Sequence, residues 1–226
     1  ILRCLVGSEM CIRDRVRIVH SHNSNQDRNL KYIIKRHYMK QIPQFATDFF
    51  ACGKNAGDWM FAGHQYQILH NAINASAYTY SCAKAVAMRE KLHVEQNLVI
   101  GHIGRFDAQK NHTFLLDIFS ECVKFVPNAK LLLVGDGEGR NHIQDKVKKL
   151  GLEDKVIFTG VCNDVADLLS AMDVFVFPSL YEGVPVTMIE AQASGLPCVI
   201  SDGVPKECII TSGLVTTMKL TDMPCG

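Results

Sequence analysis

Two carboxylates, Glu182 and Glu190, stand in a short stretch, Pro178-Ser-Leu-Tyr-Glu182-Gly-Val-Pro-Val-Thr-Met-Ile-Glu190. Carboxylate oxygens accept hydrogen bonds from hydroxyl groups and can chelate a diol. Gly183 permits an unusual backbone between them, and Pro185 suits the first turn of a following helix. That places Glu182 in a loop and Glu190 on the helix, about one and a half turns in. Helical periodicity does not bring the two onto one face, so they are suited to different tasks. The helix start at Val184–Val186 offers backbone N–H groups, those of the two valines, to an anion. Two other readings stay open from these residues alone. One is a paired acid and nucleophile acting on a glycosidic bond, which fits the surrounding Gly and Pro less well; the other is a helix-capping Glu with a separate surface Glu.

A second group is cationic. Gly104-Arg105 closes an apolar run, and Lys110 follows just before a helix start near Asn111. Two cations beside free N–H groups suit a diphosphate, although two ordinary charges on a solvated loop account for the same residues equally well. Gly135-Asp-Gly-Glu-Gly139 is G-x-G-x-G, with Arg140 where a dinucleotide fingerprint needs its third glycine. No convincing acidic partner follows about 20 residues later. A tight strand-to-helix turn is the better reading. His20-Ser-His22-Asn23 offers a turn histidine or half of an H-x-H metal site, and no third ligand at suitable spacing supports the metal.

The elements that must position these residues follow an alternating pattern of short apolar runs and helical segments, as in βαβ units with a parallel sheet. Strands are predicted at 16–20, 47–52 and 66–69, with helices near 29–40 and 54–61. The stretch 74–96 carries no strand signal. A more regular series then runs through strands at 98–103, 130–134, 156–159, 174–177 and 197–201, with helices at 113–125, 140–150, 165–172 and 185–194. These strands read as near-continuous apolar runs (KLLLVG, DVFVFP, PCVIS), as expected when helices cover both sheet faces. Gly135, Gly151, Gly160 and Gly195 punctuate element ends, where a positive φ or a helix stop is needed. Ligands of such doubly wound folds bind at the carboxyl ends of the strands, where the residues above stand.

Composition narrows the function classes. The chain has 226 residues, 47% apolar and 21% charged, with 24 Lys+Arg against 23 Asp+Glu for a net charge of +1. A near-neutral balance lacks the basic footprint of a non-specific nucleic-acid binder. No run of about 18 apolar residues is present, so any membrane role is peripheral. Ile1 to Arg15 does not read as a secretory signal, because Arg3, Glu9 and Arg13 break its apolar stretches. Nine cysteines without a C-x-x-C spacing fit a reducing compartment and a cytoplasmic location. Cys4 to Arg15 (CLVGSEMCIRDR) resembles a translated sequencing linker, so residues 1–15 are set aside, the alternative being a disordered leader. On that reading the natural chain extends upstream of Val16.

GRFDAQKN, LLLVGDGEGR, VIFTGVCNDV and FPSLYEGVPVTMIEAQASGLPCVISD resemble the carboxyl-terminal domain of retaining family-four glycosyltransferases of GT-B architecture, specifically the bacterial capsular and exopolysaccharide group. The likeness runs from Val16 to about Glu207. It implies an α/β fold of two Rossmann-like doubly wound domains, the amino-terminal one incomplete here. Residues 16–74 would be the end of the acceptor domain, 75–97 an interdomain crossover, and 98–226 the nucleotide-sugar domain, truncated at its end. The resemblance also implies roles at matching positions. Gly104, Arg105 and Lys110 would hold the donor diphosphate and stabilise it as a leaving group. Glu182 would contact the transferred sugar, with Gly183, Val184, Pro185 and Val186 forming the loop at the sugar and phosphates. Glu190 would bind ribose hydroxyls, Val161 and Cys162 would meet the base, and His22 would reach the reaction centre from the amino-terminal domain.

The implied reaction moves a sugar from a nucleotide-diphospho-sugar, a UDP-sugar by preference, to a glycan or lipid-linked acceptor with retention of configuration. No metal or other cofactor is implied, and no nucleic-acid partner. Ile68 to Asn74 (ILHNAIN) departs from the family linker in having Ala72 for Gly and Asn74 for Asp. About eighty residues precede the second domain and the chain stops at Gly226, so the fragment is expected to be inactive although its parent is expected to be an enzyme. Arg28 to Thr47 contains Arg28, Lys31, Lys35, Arg36 and Lys40 and no acidic residue. They suit either peripheral contact with anionic membrane at the inner face of the plasma membrane or a solvated helix face. A nucleotide-sugar epimerase and a non-catalytic nucleotide-binding module are the rival functions.

Overall fold

The computed structural model describes residues 16–25 and 30–220, with backbone alone for Leu30 and Lys31. The linker-like residues 1–15, Arg28 of the basic stretch and the last six residues lie outside that range. The chain forms two compact units. Among the described residues, one comprises those up to Asn71 together with Glu182–Val184, and the other comprises Ala72–Tyr181 with those from Pro185 onward.

The first unit holds three parallel strands in the order β1 (Ile18–Ser21), β2 (Asp48–Ala51) and β3 (Gln67–Ile68). The crossovers are helices α1 (Leu30–Met39), the short α2 (Ile42–Phe45) and α3 (Lys54–Phe61). Buried Ser21 fixes strand to helix, its hydroxyl donating to the Ala56 carbonyl at 2.7 Å. Gly57 makes room on α3 for the Tyr66 ring, which lies 2.2 Å from where a Cβ would stand. Val19, Ala51, Cys52, Ala56, Met60 and Phe61 are buried, whereas Ile18 and Ile68 are exposed.

The second unit opens with a 3-10 turn at Ala75–Tyr78 and helix α4 (Cys82–Leu92), which pack with it. Ser81 caps α4 by accepting from the Lys84 N–H, and His93 closes it in the left-handed region. The rest alternates: β4 (Leu98–Ile103), α5 (His112–Phe125), β5 (Ala129–Val134), α6 (Arg140–Lys149), β6 (Val156–Gly160), α7 (Val165–Ala171), β7 (Val174–Phe177), α8 (Val186–Ala193), β8 (Cys198–Ser201) and β9 (Val215–Met218). All six strands run parallel in the order β6-β5-β4-β7-β8-β9. Winding therefore starts in the middle, proceeds outward, then returns to the other side of β4. The crevice of such a fold lies at the switch between β4 and β7.

Burial explains why these strands formed. Leu131, Leu132 and Leu133 of β5 are fully buried, and Leu115, Leu116, Phe119, Ile143 and Val147 from α5 and α6 join one apolar core with β5 and Phe106. Apolar burial of this kind contributes roughly 1.5–3 kcal/mol per large side chain. Gly101, in mid-strand, is a packing requirement: the Met172 Sδ lies 2.0 Å from where its Cβ would stand. The four glycines expected at element ends, 135, 151, 160 and 195, all take positive φ.

Candidate functional site

The β4/β7 switch point is built from backbone before any charge is placed on it. Beyond β4 the chain runs through Gly104, Arg105 and Phe106 into a 3-10 turn, Ala108–Lys110, capped by the Asp107 carboxylate accepting from the Lys110 N–H at 3.2 Å. Asn111 then takes φ +56 and starts α5, a left-handed conformation that Asn tolerates. Neighbouring loops are laced to this one. The Gly104 N–H donates to Val134, Phe106 to Asp136, and Gly139 to the Phe106 carbonyl. The Gly135 N–H donates to Gly160 at the end of β6. A Cβ on Gly135 would lie 2.2 Å from the Gly104 oxygen, and one on Gly137 would lie 2.7 Å from the Phe106 oxygen. The glycine-rich turn thus serves close backbone approach to the cationic loop.

On this frame Arg105 projects outward, its side chain 78% exposed and its Nε 4.0 Å from Asp107. Lys110 is half-buried. Its stem passes Gly104, and its Nζ sits 4.5 Å from the centroid of the Phe177 ring at the end of β7. The two cations differ accordingly: Lys110 is held by a ring face, and Arg105 is extended into solvent. The loop after β7 is fastened to the same turn. The Leu180 N–H donates to Gln109 at 2.8 Å, the Gln109 side-chain amide donates to Tyr181 at 3.0 Å, and the Asn111 amide donates to Pro178 at 3.3 Å.

Beneath the cationic loop lies a layer that sequence reasoning did not find. His102, in β4, is fully buried with Nδ1 2.8 Å from the Val176 carbonyl. Its ring meets that of His112 at 4.7 Å, and His112 stacks on Phe106 at 4.2 Å. Burial, then the neighbouring His112, holds His102 well below the ordinary imidazole value. Burial, then Lys110, brings His112 down to about 4. Both rings are therefore neutral near pH 7, so cationic character in this loop resides in Arg105 and Lys110. A histidine inside the apolar run LVIGHI was the available signal.

Glu190 is the fifth residue of α8 and half-buried. Its Oε1 accepts a hydrogen bond from the Tyr78 hydroxyl at 2.7 Å, and the Tyr78 phenol is raised above its ordinary value first by that bond and then by burial. Pro185 is the N-cap of α8, not a first-turn residue, because its ψ of 125° is extended and the helix begins at Val186. Val161 and Cys162 directly follow β6. Val161 is 80% exposed, and the Cys162 thiol turns back toward the carbonyls of Thr159 and Gly160.

Gly104, Arg105, Lys110, Val161, Cys162, Pro185, Val186 and Glu190 all belong to the second unit. Glu182, Gly183 and Val184 group with the first, which also holds His22. Within the first unit Glu182 is buried, its carbonyl accepts from the Ser24 hydroxyl, and the Asn71 amide donates to the Val184 carbonyl at 2.6 Å. A Cβ on Gly183 would lie 2.3 Å from the His22 carbonyl oxygen. The His22 ring lies tilted against that of His20, centroids 4.1 Å apart, and is lowered in pKa, first by desolvation and then by His20. A separate cleft of about 480 Å³ is lined by Tyr32, Arg36, Lys40, Trp59 and His64 among others. Among the described residues no three His, Cys, Asp or Glu side chains are gathered as a metal site, and no helix is long and apolar enough to cross a membrane.

The family described as glycosyl transferases group 1 matches residues 97–221. EpsF of Bacillus subtilis (strain 168), which carries a provisional glycosyltransferase name, is 34% identical over 219 residues, 92% of this chain and 56% of that protein. UDP-Gal:alpha-D-GlcNAc-diphosphoundecaprenol alpha-1,3-galactosyltransferase of Escherichia coli is 30% identical over 63% of this chain and 38% of its own length. Among solved structures, Anabaena Alr3699/HepE in complex with UDP-glucose superposes with a TM-score of 0.80 at 24% identity, covering 90% of this chain and 58% of that one. The chain thus spans little more than half the length of EpsF and of HepE. With a family match over more than half its residues and this fold, the chain belongs to the group 1 glycosyltransferases of GT-B fold.

Proposed function

We propose that the protein is a retaining glycosyltransferase that transfers a sugar from a UDP-sugar to a glycan or lipid-linked acceptor in capsule or exopolysaccharide synthesis. The transfer is assigned to the whole protein, of which relatives of this family show nearly twice the length. The observation that carries the reading is the switch-point loop, where Arg105 and a ring-held Lys110 stand on a laced backbone at the ends of β4 and β7. Further support comes from the UDP-galactose-using relative and the UDP-glucose-bound neighbour.

In this reading Gly104, Arg105 and Lys110 hold the donor diphosphate and stabilise the charge that develops as the sugar–phosphate bond breaks. The loop 183–186 meets the sugar and phosphates, Glu182 contacts the sugar, Glu190 takes ribose hydroxyls, and Val161 and Cys162 face the base. His22 belongs to the reacting end. The acceptor hydroxyl forms the new bond on the face the diphosphate leaves, and its proton passes to a donor phosphate oxygen. No metal enters the proposal, since the two cations fill that electrostatic role. The cleft of Tyr32, Arg36, Lys40 and Trp59 in the first unit, aromatic and cationic together, suits an anionic acceptor. Exposed Ile33, Ile34 and Tyr38 on α1, beside Arg36 and Lys40, support peripheral contact with anionic membrane; co-sedimentation indifferent to anionic lipid would remove that part.

The test is calorimetric titration of UDP, GDP and ADP into the folded chain and into Arg105→Ala/Lys110→Ala. Preferential UDP binding is expected, weakened at least about a hundredfold in the double variant by loss of two charge-assisted contacts. Binding unchanged in the variant would sink the diphosphate assignment.

A further inference from the structure

The proposed ribose contact needs more than a carboxylate of the right type. A glutamate has three side-chain torsions, and fixing such a side chain costs on the order of 1.5–2 kcal/mol of rotamer freedom. In this chain the task falls to a residue outside the doubly wound elements. Tyr78 closes the 3-10 turn Ala75–Tyr78, which packs on α7 and α8, and its hydroxyl reaches Glu190 Oε1 at 2.7 Å. Both residues are half-buried and lie in the second unit. The Tyr78 ring has two torsions to fix, so it is a stiff prop for a flexible carboxylate. A phenol also donates a single hydrogen bond. Of the roughly four acceptor positions on a carboxylate it uses one, which leaves the rest for hydroxyl donors.

We propose that Tyr78 is a positioning residue for the nucleotide ribose: its hydroxyl locks the Glu190 carboxylate in the orientation that accepts the ribose hydroxyls. The inference rests on the donor-site reading above and deepens it. Tyr78 touches no ligand itself. It acts through Glu190, so its effect must depend on whether the ligand carries the hydroxyls that Glu190 receives.

That dependence separates the role from simple packing. UDP and 2′,3′-dideoxy-UDP are titrated calorimetrically into the full chain, Tyr78→Phe and Glu190→Gln, with circular dichroism on each. Tyr78→Phe keeps the ring and removes the donor. It is expected to weaken UDP about tenfold while changing dideoxy-UDP by less than about twofold, the scale of one hydrogen bond to a charged group. Glu190→Gln should likewise discriminate less between the two ligands than the wild-type chain does. Equal losses for both ligands in Tyr78→Phe would make Tyr78 a packing residue only and overturn the proposal. Unchanged UDP affinity would overturn it too, as would tighter UDP binding, because Tyr78 would then compete with ribose for Glu190. If Tyr78→Phe behaves like wild type while Arg105→Ala/Lys110→Ala still abolishes binding, this inference fails and the donor site stands. A wild-type chain that binds neither ligand overturns the donor-site reading and this inference with it.

Discussion

The two units are built by one rule and finished to different degrees. In the second, β5 has Leu131, Leu132 and Leu133 at 0% exposure, Leu131 and Leu133 in one core with α5 and α6. In the first, β1 exposes Ile18 at 60%, β2 is largely half-buried, and β3 has two exposed residues. A parallel sheet gains its stability from helices on both faces, and among the described residues the apolar strands of the second unit are the more thoroughly covered. The contrast teaches where rigidity resides. The cationic loop and Glu190 rest on the well-buried sheet, the kind of base that the anion site proposed for them needs.

Core deletions should expose the contrast most strongly. Leu132→Ala, in mid-β5, is expected to cost about 4 kcal/mol, whereas Val19→Ala in β1 should cost about 2. Urea unfolding followed by amide hydrogen exchange reads both. Equal protection of β1 and β5 amides would break the comparison. The well-buried unit also contains an acid weakness, because His112 takes up a proton at about 4 in the fold and near 6.5 when unfolded. Between those pH values the unfolded chain binds the extra proton, so stability is full above 6.5 and falls on acidification. The loss is about 3 kcal/mol for complete passage through the window. His112→Phe, which keeps a ring against Phe106, should flatten urea midpoints measured between pH 7 and pH 4. A variant as acid-sensitive as wild type would move the cause elsewhere, with His102 the next suspect. Smallest of all should be Lys84→Met, which removes the exposed ion pair to Asp167 between α4 and α7. A change under about 0.5 kcal/mol is expected, and a larger one would show α4 to be less firmly packed than its buried Ala85 and Met88 suggest.

The same contrast governs what the residues alone could reveal. β4 and β7 stand at their expected limits, and the other strands of the regular series shift by a residue, because continuous apolar runs between glycines leave few alternatives. Helix α4 was invisible: CAKAVAMREKL buries only Ala85 and Met88, so no apolar stripe marks it. Its cap at Ser81 and its helix-forming composition were the clues available. Strand β9, with exposed Thr216 and Thr217 at a sheet edge, lacked the apolar run that marked its neighbours. The cations and carboxylates were singled out by type and spacing. Tyr78 was not, because its partner lies 112 residues away, and His102 with His112 acquire their character only from burial.

Gly135, Gly137 and Gly139 each sit where any side chain would strike the backbone of Gly104 or Phe106. For a protein engineer or a mutating lineage this makes the loops a fixed lattice with interchangeable fittings. Substitutions at the three glycines, or insertions between them, must disturb the cationic loop along with their own. On the proposed donor-site reading, a changed nucleotide preference therefore has to come from the decorations, such as Val161, Cys162 and Glu190, hung on a frame that is inherited whole.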